Sequence, residues 1–470
     1  MKKIPVLLLG YICSQLFAAD FYVDVGVTTG GDGTSSSPFA DIQSAIDAAD
    51  KGDTIKLKGN LFVSDLSQCV IIPETKTELT LTNWGEERFS LEVDNNFIST
   101  IFGTVASGTN IITVCAQSNT ISGIDFVYHK DSLGLQNKTK ARFIHVGAKY
   151  TTIRDCSFYK PVNELPGYGG ASDIIQSSDG DSEYLTVERC CFENIFGGRG
   201  DYNRNPISVR HNATVRNCVF KNCWGMLTNA KYNEIFNDYV IVSNIYFLAK
   251  ADSSNYSRYD GEHAGIFFCA YGGMGSGEIA HNIFIDSTTN HSVFCYRTWQ
   301  GFREATIRFH HNTVMGLSCL LSGGSTKQTG DERMKLQVFD NILNTATVFF
   351  ENSTKTDTER THISAGSFMR NNVLCLTNNN LIATGKATKC ETYNLFDNLA
   401  VSDNIFLDSA PVFIGTDDIS SADFFRPRER DNPSWIGKGK YAWTNEGVYP
   451  DFIGAVEPEY SVKGFTVKIR

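Results

Sequence analysis

A short unit of alternating apolar and polar residues recurs along most of the chain. It reads TISGIDF ending at Phe126, TIRDCSF at Phe158, TVERCCF at Phe192 and TVRNCVF at Phe220. It continues as IVSNIYF ending at Phe247, IAHNIF at Phe284, IRFHHNTV at Val314, VFDNIL at Leu343, MRNNVL at Leu374 and VSDNIF at Phe406. The spacing averages about 31 residues, the scale of a structural repeat. Alternation of this kind is strand chemistry, and no amphipathic helix separates the copies. Parallel strands stacked without crossover helices build a solenoid in which each coil supplies short strands and turns. The pattern therefore predicts an all-β, single-stranded parallel β-helix of about ten coils or more.

Aligning the copies on their last apolar residue exposes one column two places earlier. It holds Cys156, Cys190 and Cys218, then, after Ile245, Asn282, Asn312, Asn341, Asn372 and Asn404. Asparagine survives burial only when its amide is satisfied, so this column predicts side chains bonded from coil to coil. The cysteines continue it as small buried thiols, and stacked neighbours on parallel strands are poorly placed to bridge. Most cysteines are expected to be free. His281 and His311 share the column one place earlier and read as stacked neighbours rather than metal ligands.

A solenoid needs closed ends. Residues 38–52 place Phe39, Ile42, Ala45, Ile46 and Ala49 on one helical face, with Gly52 as the stop, predicting an N-terminal capping helix. The first strand is expected at Thr54 to Leu57. Beyond Phe406 the repeat fades into an irregular aromatic tail expected to cover the other end. The predicted organisation is a signal peptide over 1–19, a β-helix with its cap over 20–410 and a C-terminal cap over 411–470.

The signal reading rests on basic Lys2 and Lys3, an apolar run from Ile4 to Phe17, and small Ala18 and Ala19. It places the mature protein outside the cytoplasm, secreted or periplasmic. Across all 470 residues, hydrophobic side chains make up 41%, enough to bury a large core. The net charge of −10 argues against a nucleic-acid partner, and no later stretch is apolar enough for a membrane span. A monomer is expected.

Familiar catalytic signatures are missing: no GxSxG, P-loop, HExxH, CxxC or EF-hand loop occurs. One segment stands out by charge. Residues 197–233 gather Arg199, Arg204, Arg210, His211, Lys221 and Lys231 into two coils of an acidic protein. Such a patch suits a carboxylated or sulfated polymer lying across the coils. Within PISVRH, alternation turns Ile207 and Val209 inward and Ser208 and Arg210 outward. From charge alone, an ordinary solvated edge with surface ion pairs is the simpler account.

The run YLTVERCCFENIFGGRGDYNRNPISVRHNATVRNCVFKNCWGMLT, residues 184–228, resembles the central coils of polysaccharide lyase family six, the alginate lyase and chondroitinase B family. The order of AGIFFCAYGG, ATIRFHHNTVMG and KLQVFDNIL downstream is similar as well. The resemblance implies a right-handed β-helix acting on an acidic, uronate-containing polysaccharide by β-elimination. It puts Arg210 where the family has its lysine base, and places Ala230, with Lys231 adjacent, where the family has a catalytic arginine. The family's calcium-binding acids fall on Asn203 and Asn205, whose neutral amides hold calcium more weakly than carboxylates. In this reading Arg210 is base or carboxylate clamp and Lys231 neutralises charge. His211 is a reserve base, because imidazole ordinarily titrates near neutrality. Arg199, Arg204, Ser208, Arg297 and Trp299 are the candidate substrate contacts.

Two other classes stay open. A glycoside hydrolase on this scaffold needs paired carboxylates, for which Asp173, Asp181, Asp201, Glu262 and Glu351 are available. A non-catalytic, carbohydrate-binding solenoid would use outward aromatics in FCYRTWQGF, Phe294 to Phe302, to stack sugars.

Overall fold

The computed structural model describes residues 18–94, 110–129, 142–159, 174–177, 182–195, 206–223, 225–229, 238–248, 265–269, 275–286, 292–296, 305–323, 334–351, 365–377, 382–384, 399–414, 416, 426–427, 454, 461–462 and 465–466. Their strands form three long parallel sheets of thirteen, twelve and eleven strands. The chain visits the first, second and third sheets in turn and then begins the next coil. In one coil these visits are Thr152–Arg154, Ser157–Tyr159 and Ile175–Ser177. Each strand pairs with its counterparts one coil before and after, so the hydrogen bonds run along the solenoid axis.

Alternation gives every sheet an inward row. In the second sheet this row is Phe126, Phe158, Phe192, Phe220, Tyr246, Phe284, Val314, Leu343 and Leu374, all fully covered. The phenylalanines stack face to face, with centroids 4.7, 4.9 and 4.8 Å apart from Phe126 to Phe220. Each spacing is one strand separation, so the ring column and the backbone ladder share a repeat.

A two-residue corner joins the first sheet to the second. Its leading residue is left-handed: Asp155, Arg189, Asn217, Ser243, His281, His311, Asp340, Asn371 and Asp403 have φ between 51° and 56°. The next residue points into the core. There Asn282 Nδ2 donates to Ile241 O and Ala280 O, both at 2.9 Å, and to Asn312 Oδ1 at 3.0 Å. The pattern repeats at Asn312, Asn341 and Asn372. The cysteines use equivalent acceptors: Cys218 Sγ donates to Val187 O at 3.6 Å and Arg216 O at 3.3 Å. Cys156, Cys190, Cys218 and Cys223 are buried and unbridged.

The register corrects one alignment. Phe220 pairs with Tyr246, not Phe247, and Tyr246 pairs with Phe284. Asn244 rather than Ile245 therefore occupies the inner corner, where its Oδ1 accepts from Cys218 N at 2.9 Å. Tyr246 tolerates the core because its hydroxyl donates to Cys223 O at 2.9 Å.

The N-terminal end also differs from expectation. Helix α1, Ile42–Ala48, is shorter than the helical pattern, with Asp41 capping it by accepting from Ser44 N at 2.8 Å. It buries Ile42, Ala45 and Ile46, while Ala49 is already extended and ends it. Phe39 precedes the helix and bridges to Val23, because its amide donates to Tyr22 O and its carbonyl accepts from Asp24 N. The first sheet starts with Asp20–Asp24, one strand earlier than Thr54–Lys58, pairing Phe21 with Ile55 and Val23 with Leu57. At the other end Phe413 packs beside Ile283, Ile342 and Val373, and Gly454 N donates to Asp340 O. These described pieces of the tail lie along the outer face of the second sheet. Among the described residues no helix is long and apolar enough to cross a membrane.

Candidate active site

The third sheet carries the segment singled out by charge. Strand Ile207–Val209 sits between Ile175–Ser177 and Leu227–Asn229, pairing Ser208 with Gln176 and Thr228. Ile207 and Val209 are buried in the core as alternation requires. Ser208 falls on the outward row yet is only 1% exposed, so the expectation of an open serine is corrected: this part of the sheet face is covered. The same row runs back through Gln176 to His145 and Thr113, both half-buried.

Arg210 and His211 leave the end of this strand side by side and half-buried. Asn212, with φ 59°, turns the chain toward Thr214–Arg216 of the first sheet. Val209 pairs with Asn229, and Ala230 and Lys231 lie outside the described residues. Of the candidates, Ser208, Arg210 and His211 are among the described residues, on and directly after one strand. Arg199, Asn203, Arg204, Asn205, Lys231, Arg297 and Trp299 lie outside the described residues.

Charges on the first sheet, at its corner with the second and on the second sheet are paired with one another. Arg216 Nε donates to Glu188 Oε2 at 2.8 Å, and Arg189 clasps Asp155 through Nε and Nη2 at 2.7 and 2.9 Å. Burial alone would raise the Glu188 carboxyl, but the hydrogen bond and charge of Arg216, with Arg189 beside them, hold it below the usual range. Hydrogen bonding by Arg189 does the same for Asp155. Lys221 pairs with Glu193 at 2.7 Å. This part of the basic segment is structural.

Sugar stacking on Phe294 is corrected: the ring is 1% exposed and packs in the core against Phe267 and Phe309. Its strand, Ser292–Tyr296, pairs Phe294 with inward Phe267, which turns that side chain in. The exposed aromatics are elsewhere. Tyr150 and Tyr184 stack at 4.7 Å with 49% and 39% of their surface open. The carboxylates Asp173, Asp181, Asp201 and Glu262 lie outside the described residues, and Glu351 ends strand Phe349–Glu351.

A second polar cluster occupies the opposite corner. His310 Nδ1 and His311 Nδ1 are 2.9 Å apart, with Glu278 3.4 Å from His310 Nε2 and Asp340 3.9 Å from His311 Nε2. His281 lies 5.1 Å from His311, ring centre to ring centre. No group of three or more histidines, cysteines or acids arranged to hold a metal occurs among the described residues.

No protein-family model matches the chain, and no curated protein does. Solved structures do. A crystal structure of pectate lyase Pel9A superposes with a TM-score of 0.53 at 11% identity, over 94% of this chain and 96% of that one. A variant of the PL6-family alginate lyase AlyGC gives 0.50 at 14% identity, over 95% of this chain and 59% of that one. The fold is the right-handed parallel β-helix of these lyases. A PL6-family polysaccharide lyase from Pseudopedobacter saltans matches over 89% of this chain and 97% of that one, at 12% identity and a TM-score of 0.49. At such identities the likeness is one of architecture alone.

Proposed function

We propose that the protein is an exported polysaccharide lyase acting as a monomer on an acidic, uronate-containing polymer. The observation that carries this reading is the placement of Arg210 and His211 together at the end of strand Ile207–Val209, on a β-helix shared with pectate and alginate lyases. Arg199, Arg204 and Lys231 of the same segment, with Arg297 and Trp299 further along the chain, are assigned as substrate contacts. Export rests on residues 1–19.

Elimination needs two things from the protein. The uronate carboxylate must be neutralised so that the C5 proton becomes acidic, and a base must accept that proton. A guanidinium stays charged at any working pH and presents paired donors to a carboxylate, so Arg210 is assigned the clamp. His211 is assigned the base. As the C5–H bond breaks, its electron pair forms the C4–C5 double bond and the C4–O4 bond breaks. O4 leaves with a proton from an acid, for which Lys231 or water is available. Asn203 and Asn205 offer calcium only neutral donors, which hold it more weakly than carboxylates.

The test is ultraviolet absorbance during incubation with alginate, pectate, chondroitin and dermatan sulfates, hyaluronan and heparin, with and without calcium. An unsaturated uronate product raises the absorbance on at least one of them. New reducing ends without that rise would replace elimination with hydrolysis. Glycan retention with no cleavage would leave a binding solenoid.

A further inference from the structure

Where the third sheet gives way to the first, successive coils carry a residue in the left-handed region. Ser118, Asn212 and Asp238, with φ 61°, 59° and 58°, are short polar residues, two of them of the kinds that tolerate it best. Between Ser118 and Asn212 the same column holds Tyr150 and Tyr184, with φ 61° and 60°. A bulky side chain is unusual there and gains nothing from the backbone conformation. Nor does burial explain the choice, since the rings keep 49% and 39% of their surface open.

The two rings lie face to face, with centroids 4.7 Å apart and planes 19° from parallel. The stack follows the coil axis and ends at Ser118 on one side and Asn212 on the other, so each outer face meets a corner without a ring. Its position is fixed by the backbone. Tyr150 N donates to Glu183 O at 3.1 Å, and Tyr184 N donates to His211 O at 3.2 Å. Tyr184 is thus bonded directly to the residue after Arg210, one coil earlier in the solenoid, and Tyr150 stands one coil earlier again.

We infer that Tyr150 and Tyr184 form an aromatic subsite that holds a pyranose ring of the acidic polymer on the N-terminal side of Arg210. The inference rests on the proposed action on such a polymer and adds where the chain lies. A pyranose offers an apolar C–H face that packs on an aromatic ring while its hydroxyls and carboxylate stay in water. A linear polymer crossing the coils would meet the tyrosine stack one and two coils before its carboxylate reached Arg210. The rings supply contact area without charge, and Arg210 supplies a charge.

Asparagine suits the left-handed corner, so Tyr150→Asn with Tyr184→Asn removes both rings while keeping the turn. KM and kcat are measured on the glycan panel above, with gel retention on the same glycans and a thermal melt. The double variant is expected to melt with the wild type and to raise KM about tenfold at nearly constant kcat. Tyr184→Phe keeps the wild-type KM. If the double variant folds poorly, Tyr184→Asn alone carries the comparison. An unchanged KM in an active enzyme overturns the subsite and leaves the proposed function standing. Retention without cleavage that the double variant loses supports the subsite and removes the lyase assignment. A wild type that neither cleaves nor retains any of these glycans overturns both.

Discussion

Asn244 donates to Asn282 Oδ1 twice, from its side-chain Nδ2 and from its backbone N–H, both at 3.0 Å. Both residues are wholly buried. One oxygen thus receives two donors of the preceding coil, and the link recurs to Asn404. Each amide satisfies backbone groups that the sharp corner leaves without a strand partner, which is why so polar a side chain is stable in this core.

Removing one member should therefore cost more than removing a thiol from the same column. Asn312→Ala strips the partner from Asn282 N and one donor each from Ile279 O and His310 O, the last keeping His281 N. At ~1–3 kcal/mol for each buried unsatisfied group, the loss should reach roughly 3 kcal/mol or more. Cys190→Ala removes only weak thiol bonds to Ile153 O and Glu188 O and should cost roughly 1 kcal/mol. Denaturant midpoints check the order, and equal losses would mean that the amides add little beyond their volume.

Acid should weaken the central coils through Glu188 and Asp155. Both carboxyls are held below their ordinary range, so the folded protein binds fewer protons there than the unfolded chain. Their stabilisation is complete above the unfolded carboxylate range, and it is lost as pH falls through the lower folded values. Melting midpoints between about pH 6 and about pH 3 should fall more steeply for the wild type than for Glu188→Gln. Parallel curves would show that the ion pairs with Arg216 and Arg189 contribute nothing measurable.

The same repeat explains what was legible from residue order and what was not. The inward rows and the amides from Asn282 to Asn404 could be read because every coil states them again. Tyr246 and Phe247 form an aromatic doublet that fits alternation in either phase, and only pairing with Phe220 and Phe284 selects Tyr246. Strand Asp20–Asp24 precedes the repeats and has a single neighbour, so no periodicity announces it. Phe294 reads as outward beside Tyr296 and Trp299 until its register with Phe267 turns it in. Tyr150 and Tyr184 occupy corners, where alternation makes no statement about exposure. At the site, order in sequence placed Arg210 and His211 at the strand end but could not show that Ser208 is covered.

A second pH response should come from His281. Burial, with the charge of His310 nearby, lowers its pKa to about 4, while Glu278 pulls the other way. The folded value is depressed below the unfolded one, so stability falls as pH drops from the ordinary histidine range toward about 4. His281→Asn keeps a residue suited to its φ of 56° and cannot take up the proton. Between about pH 7 and about pH 5 the wild type should lose stability that the variant retains, on the order of 1–3 kcal/mol. Identical slopes would show that His281 takes up no proton over this range.

Arg210 decides between clamp and base. If the guanidinium neutralises the uronate, Arg210→Lys keeps a charge but loses the paired donors and should retain a small fraction of activity, with KM raised. Arg210→Ala should lose about a hundredfold or more in kcat/KM with little change in melting midpoint, since the side chain is only half-buried at a strand end. His211→Asn should instead lower kcat with KM held. If Arg210→Lys were as active as the wild type or faster, the residue at this position would be the base, because lysine surrenders a proton far more readily than arginine. His211 would then be left to orient the strand end through the bond from Tyr184 N to its carbonyl. That bond belongs to the backbone, so under this alternative His211→Asn should leave kcat unchanged.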